Sequence, residues 1–347
     1  MKEATSVVEI EGPGRQKRAR QAPTIYDIAR LAGVNASTVS RALNNPDRVT
    51  AKTRKLVEVA AAELNYKANH FARALPTGKT QTLGLIVADI TNPTFFDIIR
   101  GAGTTAAARG YTLVLAESTE SPAMEMTVAR RMLGSVDGVI LASPRMGDDQ
   151  ILDLAGEKPV VVINRDVKGV NCVVPDVDRG ISQAVRSLAG QGHRSVLYIA
   201  GPEESWMSGR RWEGIQAACD WSRLVASRLE SATPTVEGGR RLARDVLVAG
   251  VTAVITYNDL LAIGLMQELQ AAGVRVPETI SIVGFDDIFG ADFTSPPLTT
   301  VRSPVHECGV RATGRLLEEL AGAYKVATAA LPVETELILR GSSAPPN

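Results

Sequence analysis

From Gln81 to about residue 285 the chain repeats one pattern, in which apolar runs of strand length alternate with segments of helix length. LGLIVA at 83–88 leads through a turn at TNP into a helix over 95–109, and YTLVLAES follows. A helix over 124–133, the run GVILAS and the run VVVIN at 160–164 come next, then a helix over 179–190 and the strand SVLYIAG. Helices over 208–219 and 237–249, the strand AVITY, a helix over 259–272 and the strand SIVGF complete the series. Strands joined by crossover helices pair in parallel, since a tight hairpin would reverse the chain. Most of these strands are apolar throughout, as a sheet covered on both faces requires. Their number calls for two sheets. The pattern therefore predicts an α/β body, at 81–340, made of two doubly wound parallel-sheet lobes. The N-lobe is expected at about 81–177 and 303–328, the C-lobe at about 178–302 and 329–340, with 341–347 as a tail.

Residues 24–75 keep a different period. Thr24 is placed to cap a first helix, with Asp27 in the reciprocal position of a capping box. Ile25, Ile28 and Ala29 form its apolar stripe, and Gly33 ends it, because glycine enters the left-handed conformation without steric cost. Asn35 starts a second helix as its cap, and Val39 and Leu43 face inward with Val34. Two short helices joined by a tight glycine-containing turn make a helix-turn-helix. The outward face of the second helix carries Ala36, Ser37 and Arg41, where a helix laid in the major groove meets base edges. Arg41 has the paired donors that grip a guanine, Ser37 reads less selectively, and Ala36 offers apolar contact to a thymine methyl. Thr38, Ser40, Asn44 and Thr53 suit phosphate contacts, which fix register without reading sequence, and Thr24 joins them at the start of the first helix. A plain helical hairpin with a polar surface would show the same pattern, so other features must decide.

Charge is one of them. Residues 1–80 hold 14 Lys and Arg against 7 Asp and Glu, leaving 24 against 31 in the rest of a chain that balances at 38 of each. A basic head on an acidic body suits a phosphate-binding module fused to a domain that does not touch nucleic acid. Residues 1–22 read as a disordered basic arm, 23–66 as the DNA-binding domain, and 67–80 as a hinge helix and linker. The first twenty residues lack the apolar core and cleavage site of a signal peptide, and no run of 18 apolar residues exists to span a membrane. Cys172, Cys219 and Cys308 are widely spaced, with no metal-ligand pattern. A cytoplasmic, nucleoid-associated protein with no metal and no cofactor is expected.

The motifs TIYDIARLAGVNASTVSRALNN and VTAKTRKLVEVAAAELNYKANHFARAL resemble the head and hinge of the lactose/galactose repressor (LacI/GalR) family of bacterial transcription regulators. The resemblance continues through LGLIVADITNPTFF, VDGVIL, TYNDLLAIG, VPETISIVGFDDI and PPLTTVRSP, covering about residues 24–340. It implies that ANHFARAL becomes helical on DNA and that two copies enter the minor groove. Leu75 would then be the apolar wedge between base steps, with Asn69 and Arg73 beside it. The family usually has proline where this chain has Ala68, so the start of that helix is less firmly set here.

Ligands of doubly wound sheets bind at the carboxyl ends of strands. Gathered there are Asp89 with Asn92, Phe95 and Phe96; Asn164 and Arg165; Trp206 and Arg211 in SWMSGRR; Asn258 with Asp259; and Asp286 with Asp287. Aromatic faces, amides, carboxylates and arginine suit a polyhydroxylated ligand. The resemblance implies two lobes, like those of periplasmic binding proteins, closing on a sugar, nucleoside or base, and carries the effector role onto Phe96, Asn164, Arg211, Asn258 and Asp286. Structural roles compete: Asp259 as a helix cap, Asp89 as a turn acceptor, and one of Phe95 and Phe96 as core. Trp206, set in a polar loop, is a candidate stacking platform. Arg211 has the strongest case, because an inward arginine on a first helical turn needs an anionic or hydroxylated partner.

Enzymatic readings find no support. The Gly101–Ala106 stretch fits a relaxed dinucleotide fingerprint but falls inside a helix, and no phosphate loop, HExxH or GxSxG is present. His70, His193 and His306 are scattered. A periplasmic-type sugar receptor would share the body but not the basic head. The expected function is a DNA-binding transcriptional regulator, in the first instance a repressor, whose operator affinity is set by a small sugar or nucleoside bound between the lobes. It should act as a homodimer, or a tetramer built on one, on pseudo-palindromic DNA.

Overall fold

The computed structural model describes residues 23–66, 79–231, 233–323 and 333–346. The chain divides into two compact units between Arg73 and Ala74.

The first unit is helical. Ile25–Ala32 begins at Thr24, whose backbone N–H and hydroxyl donate to Asp27 Oδ2 at 2.9 and 2.7 Å. These hydrogen bonds, the backbone one foremost, hold the Asp27 carboxyl below its ordinary pKa. The helix ends at Gly33, with φ at 67°. Asn35 occupies the capping position of Ala36–Asn44 with extended backbone, but its side chain makes no capping hydrogen bond, so the expected cap is there in place only. A single 3₁₀ turn, Pro46–Arg48, leads into Ala51–Glu63, where Thr50 Oγ1 accepts from the Thr53 N–H at 3.3 Å. Ile28, Val39, Ala42, Val57 and Ala60 form the core, and Val34 and Leu43 are half-buried against it.

In the second unit, strands β1 (Thr82–Val87), β2 (Thr112–Glu117), β3 (Gly138–Ala142), β4 (Val160–Ile163) and β5 (Asn171–Val173) form a parallel sheet in the order β2-β1-β3-β4-β5. Its helices are Thr94–Ala108, Pro122–Leu133, Asp148–Glu157 and, from far along the chain, Val305–Leu320. The first and last of these press together through glycines. A Cβ on Gly101 would stand 2.3 Å from the His306 carbonyl oxygen, and one on Gly309 2.3 Å from that of Ile98. Gly101 thus serves helix packing, which accounts for the fingerprint-like stretch.

After the short β6 (Pro175–Asp176) and the helix Val177–Gly190, the chain builds a second sheet. It comprises β7 (Ser195–Ile199), β8 (Val225–Leu229), β9 (Ala253–Thr256), β10 (Ser281–Asp286) and β11 (Thr299–Arg302). The helices Trp206–Ser222, Val236–Arg241, Ala243–Ala249 and Asp259–Ala271 lie between its strands in sequence. β12 (Val333–Glu334) pairs with β6, and β13 (Glu336–Ile338) adds to β11 antiparallel, so the second sheet is mixed rather than wholly parallel. The helix expected over 237–249 is broken at Leu242, whose N–H turns back to Gly239. The break lets Val236–Arg241 lie on Asp259–Ala271 at backbone distance: a Cβ on Gly239 would meet the Leu261 carbonyl oxygen at 2.2 Å. Tyr198 and Phe285 are the largest wholly buried side chains. No helix among the described residues is long and apolar enough to cross a membrane.

Candidate functional site

On the head, Ser37 and Arg41 are exposed, one turn apart on the outer face of Ala36–Asn44. Arg41 Nε donates to the Ser37 carbonyl at 3.2 Å, which lays the side chain along the helix toward its start. Ala36, Thr38 and Ser40 are half-buried at the edges of that face, and Thr53 is half-buried with its hydroxyl 2.9 Å from that of Thr50. The Thr24 hydroxyl is engaged by Asp27. The side chain of Asn44, the hinge residues Asn69, Arg73 and Leu75, and Ala68, His70 and the arm at 1–22 lie outside the described residues.

In the body, backbone strain marks one region. Of the eight non-glycine residues with positive φ among the described residues there, six sit at or just past strand carboxyl ends: Thr119, Glu120, Ser143, Asn164, Asp286 and Asp287. Non-glycine residues hold that conformation only where the surroundings enforce it, and such strain gathers at functional sites. Asp286 (φ 106°) is buried, and its Oδ1 accepts from Arg211 Nη2 at 2.9 Å. The Arg211 guanidinium lies 3.6 Å from the centroid of the Phe285 ring and 4.9 Å from that of Tyr257, and it donates through Nη1 to the Tyr257 carbonyl. Its Nε is buried and has no partner among the described residues. Burial raises the Asp286 carboxyl above its ordinary pKa, and Arg211 only partly opposes this. The arginine sits on the second turn of Trp206–Ser222, since the helix begins two residues earlier than the sequence suggested.

A second arginine was not singled out from the sequence. Arg145, just past β3, is buried, and its Nε donates to Glu120 Oε2 at 2.5 Å while its Nη1 donates to the Ser143 carbonyl at 3.0 Å. Glu125 clamps the backbone beneath it, accepting from the N–H groups of Arg145 and Met146 at 2.7 and 2.9 Å. Burial lifts the Glu125 carboxyl above its ordinary pKa against those hydrogen bonds. For Arg145 burial works toward a lower pKa, but Tyr257 and Glu120 beside it prevail and raise it. The Tyr257 hydroxyl itself lies 3.0 Å from Ser205 Oγ.

Other candidates have structural duties. Phe95 is core at 3% exposure, which leaves Phe96, 44% exposed, as the aromatic of that pair open to ligand. Asp89 Oδ1 accepts from the N–H and hydroxyl of Thr91, a closed turn. Asn164 Nδ2 donates to Ser143 Oγ at 2.9 Å, tying the ends of β4 and β3 together. Arg165 braces the 146–148 loop through the Met146 carbonyl and Asp148. Asn258, not Asp259, caps Asp259–Ala271: its Oδ1 accepts from Leu261 N–H and its Nδ2 donates to the Pro234 carbonyl, both at 2.9 Å. Asp259 is instead buried behind Asp286, accepting from Thr300 and from the Ile288 N–H, and burial drives its pKa well up. Trp206 belongs to the first turn of a helix rather than a loop, half-buried against the second core, and it lines a hollow of about 460 Å³ with Glu203, Ser208 and Arg228.

Comparison with known proteins decides the family. Residues 24–69 match the model for bacterial regulatory proteins of the lacI family, and 185–343 match that for a periplasmic binding protein-like domain. The HTH-type transcriptional repressor CytR of Escherichia coli is 33% identical over 337 residues, 95% of this chain and 98% of the relative. The chain belongs to the LacI family. Among solved structures, the Lac repressor dimer bound to operator and the anti-inducer ONPF superimposes with a TM-score of 0.83 at 26% identity, covering 93% of this chain and all of that one. The complex of the regulator CelR with cellobiose gives 0.68 at 31% identity, covering 92% and 99%. As a LacI-family member the protein is a transcription regulator and not an enzyme. The family's two-part architecture matches the helical head and α/β body described above. The group of Arg145 with Glu120 and Glu125, and the pair Tyr257 with Ser205, were missed because each meeting depends on elements distant in sequence.

Proposed function

We propose that this LacI-family regulator binds pseudo-palindromic operator DNA as a homodimer and changes its grip when a small polyhydroxylated metabolite, of sugar or nucleoside class, is held between its lobes. Arg41 and Ser37 read base edges, while Ala36, Thr38, Ser40, Asn44, Thr53 and Thr24 flank them on base methyls and phosphates. Residues 67–80, with Leu75 as wedge and Asn69 and Arg73 beside it, connect reader to sensor; this part rests on resemblance to the family. The exposed Phe289–Phe293 pair, edge-to-face at 5.1 Å, is a natural surface for a second copy of the body. Action on operator DNA sets its place of work in the cytoplasm, at the nucleoid.

The observation that carries the ligand reading is Arg211. Its charge is satisfied by Asp286 and its faces by Phe285 and Tyr257, yet its buried Nε has no partner among the described residues. A charge already balanced, with one donor left over beside a carboxylate and aromatic rings, fits a neutral ligand rich in hydroxyls better than an anion. Phe96, Asn164 and Asp286 supply the stacking face and directional partners around it.

A thermal-melt screen of the purified protein tests this, with ribose, cellobiose, other sugars, nucleosides and purine bases as probes. A ligand of the folded form raises the melting temperature by mass action. One class should do so, and the Arg211→Met variant should lose the response. A probe that stabilises wild type and variant alike binds elsewhere and defeats the reading.

A further inference from the structure

We propose that Glu120 contacts the ligand and sets its class: the free carboxylate oxygen accepts from a hydroxyl of an uncharged sugar or nucleoside and turns away phosphorylated ones. This role rests on the ligand reading of the cleft.

The place is set by the first sheet. Its order, β2-β1-β3-β4-β5, puts the topological switch point between β1 and β3, and ligands of doubly wound sheets bind outside the carboxyl ends of the strands there. Glu120 follows β2 and Arg145 follows β3, so the 2.5 Å ion pair between them crosses the end of β1. The Glu120 N–H is tied to that same end, donating to the Ala88 carbonyl at 2.9 Å.

The backbone holds Glu120 there against its own preference. The Ser121 N–H donates to the Ser118 carbonyl at 3.0 Å, and Thr119 and Glu120 between them have φ of 49° and 58°. Two left-handed residues inside such a hydrogen bond make a type I′ turn, which glycine, asparagine and aspartate form most readily. Threonine and glutamate hold it because Ser118 is fastened to the Val87 carbonyl on one side and Ser121 caps the helix Pro122–Leu133 on the other. Side chains kept in this conformation gather at ligand clamps.

Arg145 engages only one of the two carboxylate oxygens. Its Nε meets Oε2, while Oε1 takes no hydrogen bond among the described residues, and the Glu120 side chain is 23% exposed. Arg145 is itself anchored by the Ser143 carbonyl and by the Glu125 clamp on its backbone. An acceptor fixed in advance loses little entropy when a ligand hydroxyl reaches it. The surrounding charges also disfavour an anion. Arg145, Arg165 and Arg211 each face a carboxylate already, at Glu120, Asp148 and Asp286. A phosphate would find no unmatched cation among these three and would meet the Glu120 oxygen.

Isothermal titration of the full-length protein tests this with three matched pairs: ribose and ribose 5-phosphate, glucose and glucose 6-phosphate, uridine and uridine 5′-monophosphate. Wild type should bind the neutral member of a pair and prefer it to its phosphorylated partner. Glu120→Gln keeps an acceptor for Arg145 but removes the charge. It should weaken the neutral member about tenfold, the weight of one hydrogen bond to a charged group, and narrow the preference against phosphate. Glu120→Asn, which suits the left-handed backbone, carries the same expectation should glutamine disturb the turn; melting temperatures without ligand show which variant keeps the fold. Unchanged affinity for the neutral member, an equal loss for both members, or a wild type that prefers the phosphorylated one would overturn the role of Glu120. A wild type that binds none of the six probes, or binds them no better than Arg211→Met does, would refute the ligand reading itself, so the two failures are distinct.

Discussion

Separating Arg211 from Asp286 is the most informative perturbation of the body. The pair is buried, with side chains 7% and 8% exposed and a contact of 2.9 Å. Breaking one half of such a pair leaves an uncompensated buried charge and costs about 3–5 kcal/mol. For a domain of this size, roughly 2–4 °C of melting temperature per kcal/mol puts Asp286→Asn about 6–20 °C below wild type. Asparagine tolerates the left-handed backbone at this position, so the loss reports the charge. Arg211→Met should cost a similar amount at neutral pH, but the two variants differ in their response to acid. The abandoned carboxylate can take up a proton, and its pKa is already raised by burial. A raised carboxylate pKa means the folded state holds a proton that the unfolded state has released, so stability falls as pH rises through the folded value. The deficit of Arg211→Met should therefore shrink as pH is lowered toward 4, while Asp286→Asn leaves the guanidinium charged and unpaired at every pH, because arginine does not deprotonate. The double variant should be less damaged than the sum of the two, by about 2 kcal/mol or more. Denaturant titrations of all four proteins at pH 7 and pH 5 measure these quantities. Strict additivity, or equal pH responses of the single variants, would refute the assignment of Arg211 and Asp286 as a coupled buried pair.

Three further expectations follow from other parts of the chain. Arg41→Ala should relax base preference at one position in each half-site by about 1–3 kcal/mol, seen in binding to a randomised duplex library; uniform weakening across all sequences would make Arg41 a phosphate contact. His193 is buried between the Thr252 hydroxyl at 2.8 Å and the Ala344 carbonyl at 3.1 Å, and burial lowers its pKa below the ordinary 6.5. Stability from the neutral ring is present above about pH 6.5 and lost as pH falls below it, so His193→Gln should flatten the acid limb of the stability profile. Gly101→Ala should destabilise the body by about 1–3 kcal/mol in chemical denaturation, because the methyl lands on the His306 carbonyl rather than on a movable side chain.

Periodicity and capping rules were enough to place the main elements. LGLIVA and GVILAS announce their burial because both faces are covered, and Thr24, Asp27 and Gly33 punctuate the first helix by local chemistry alone. Edge strands carry less signal: VASRL in β8 mixes polar and apolar residues without a period of two, and the three residues of β13 have too little periodicity to read. Side-chain partnerships were legible only where one residue's chemistry demanded them. An arginine at Arg211 requires an acceptor, whichever it is, so its importance could be argued before its partner was known. Arg145 lies in a proline-containing loop and looks like a solvated charge; its burial depends on Glu120 and Glu125, 25 and 20 positions earlier, folding over it. Asn258 and Asp259, or Phe95 and Phe96, cannot be told apart by neighbours in sequence, since a rotation of one residue along a helix exchanges core for surface.

The central claim is that a metabolite in the body changes what the head does to DNA. It is tested most directly by titrating full-length protein onto its library-selected duplex, at fixed salt and with random competitor, with and without the ligand that raises its melting temperature. The account predicts tight, sequence-selective binding whose affinity shifts about 5–150-fold with ligand, in either direction. Binding that shows no preference for any duplex, or a selective complex indifferent to a ligand that demonstrably occupies the body, would contradict it.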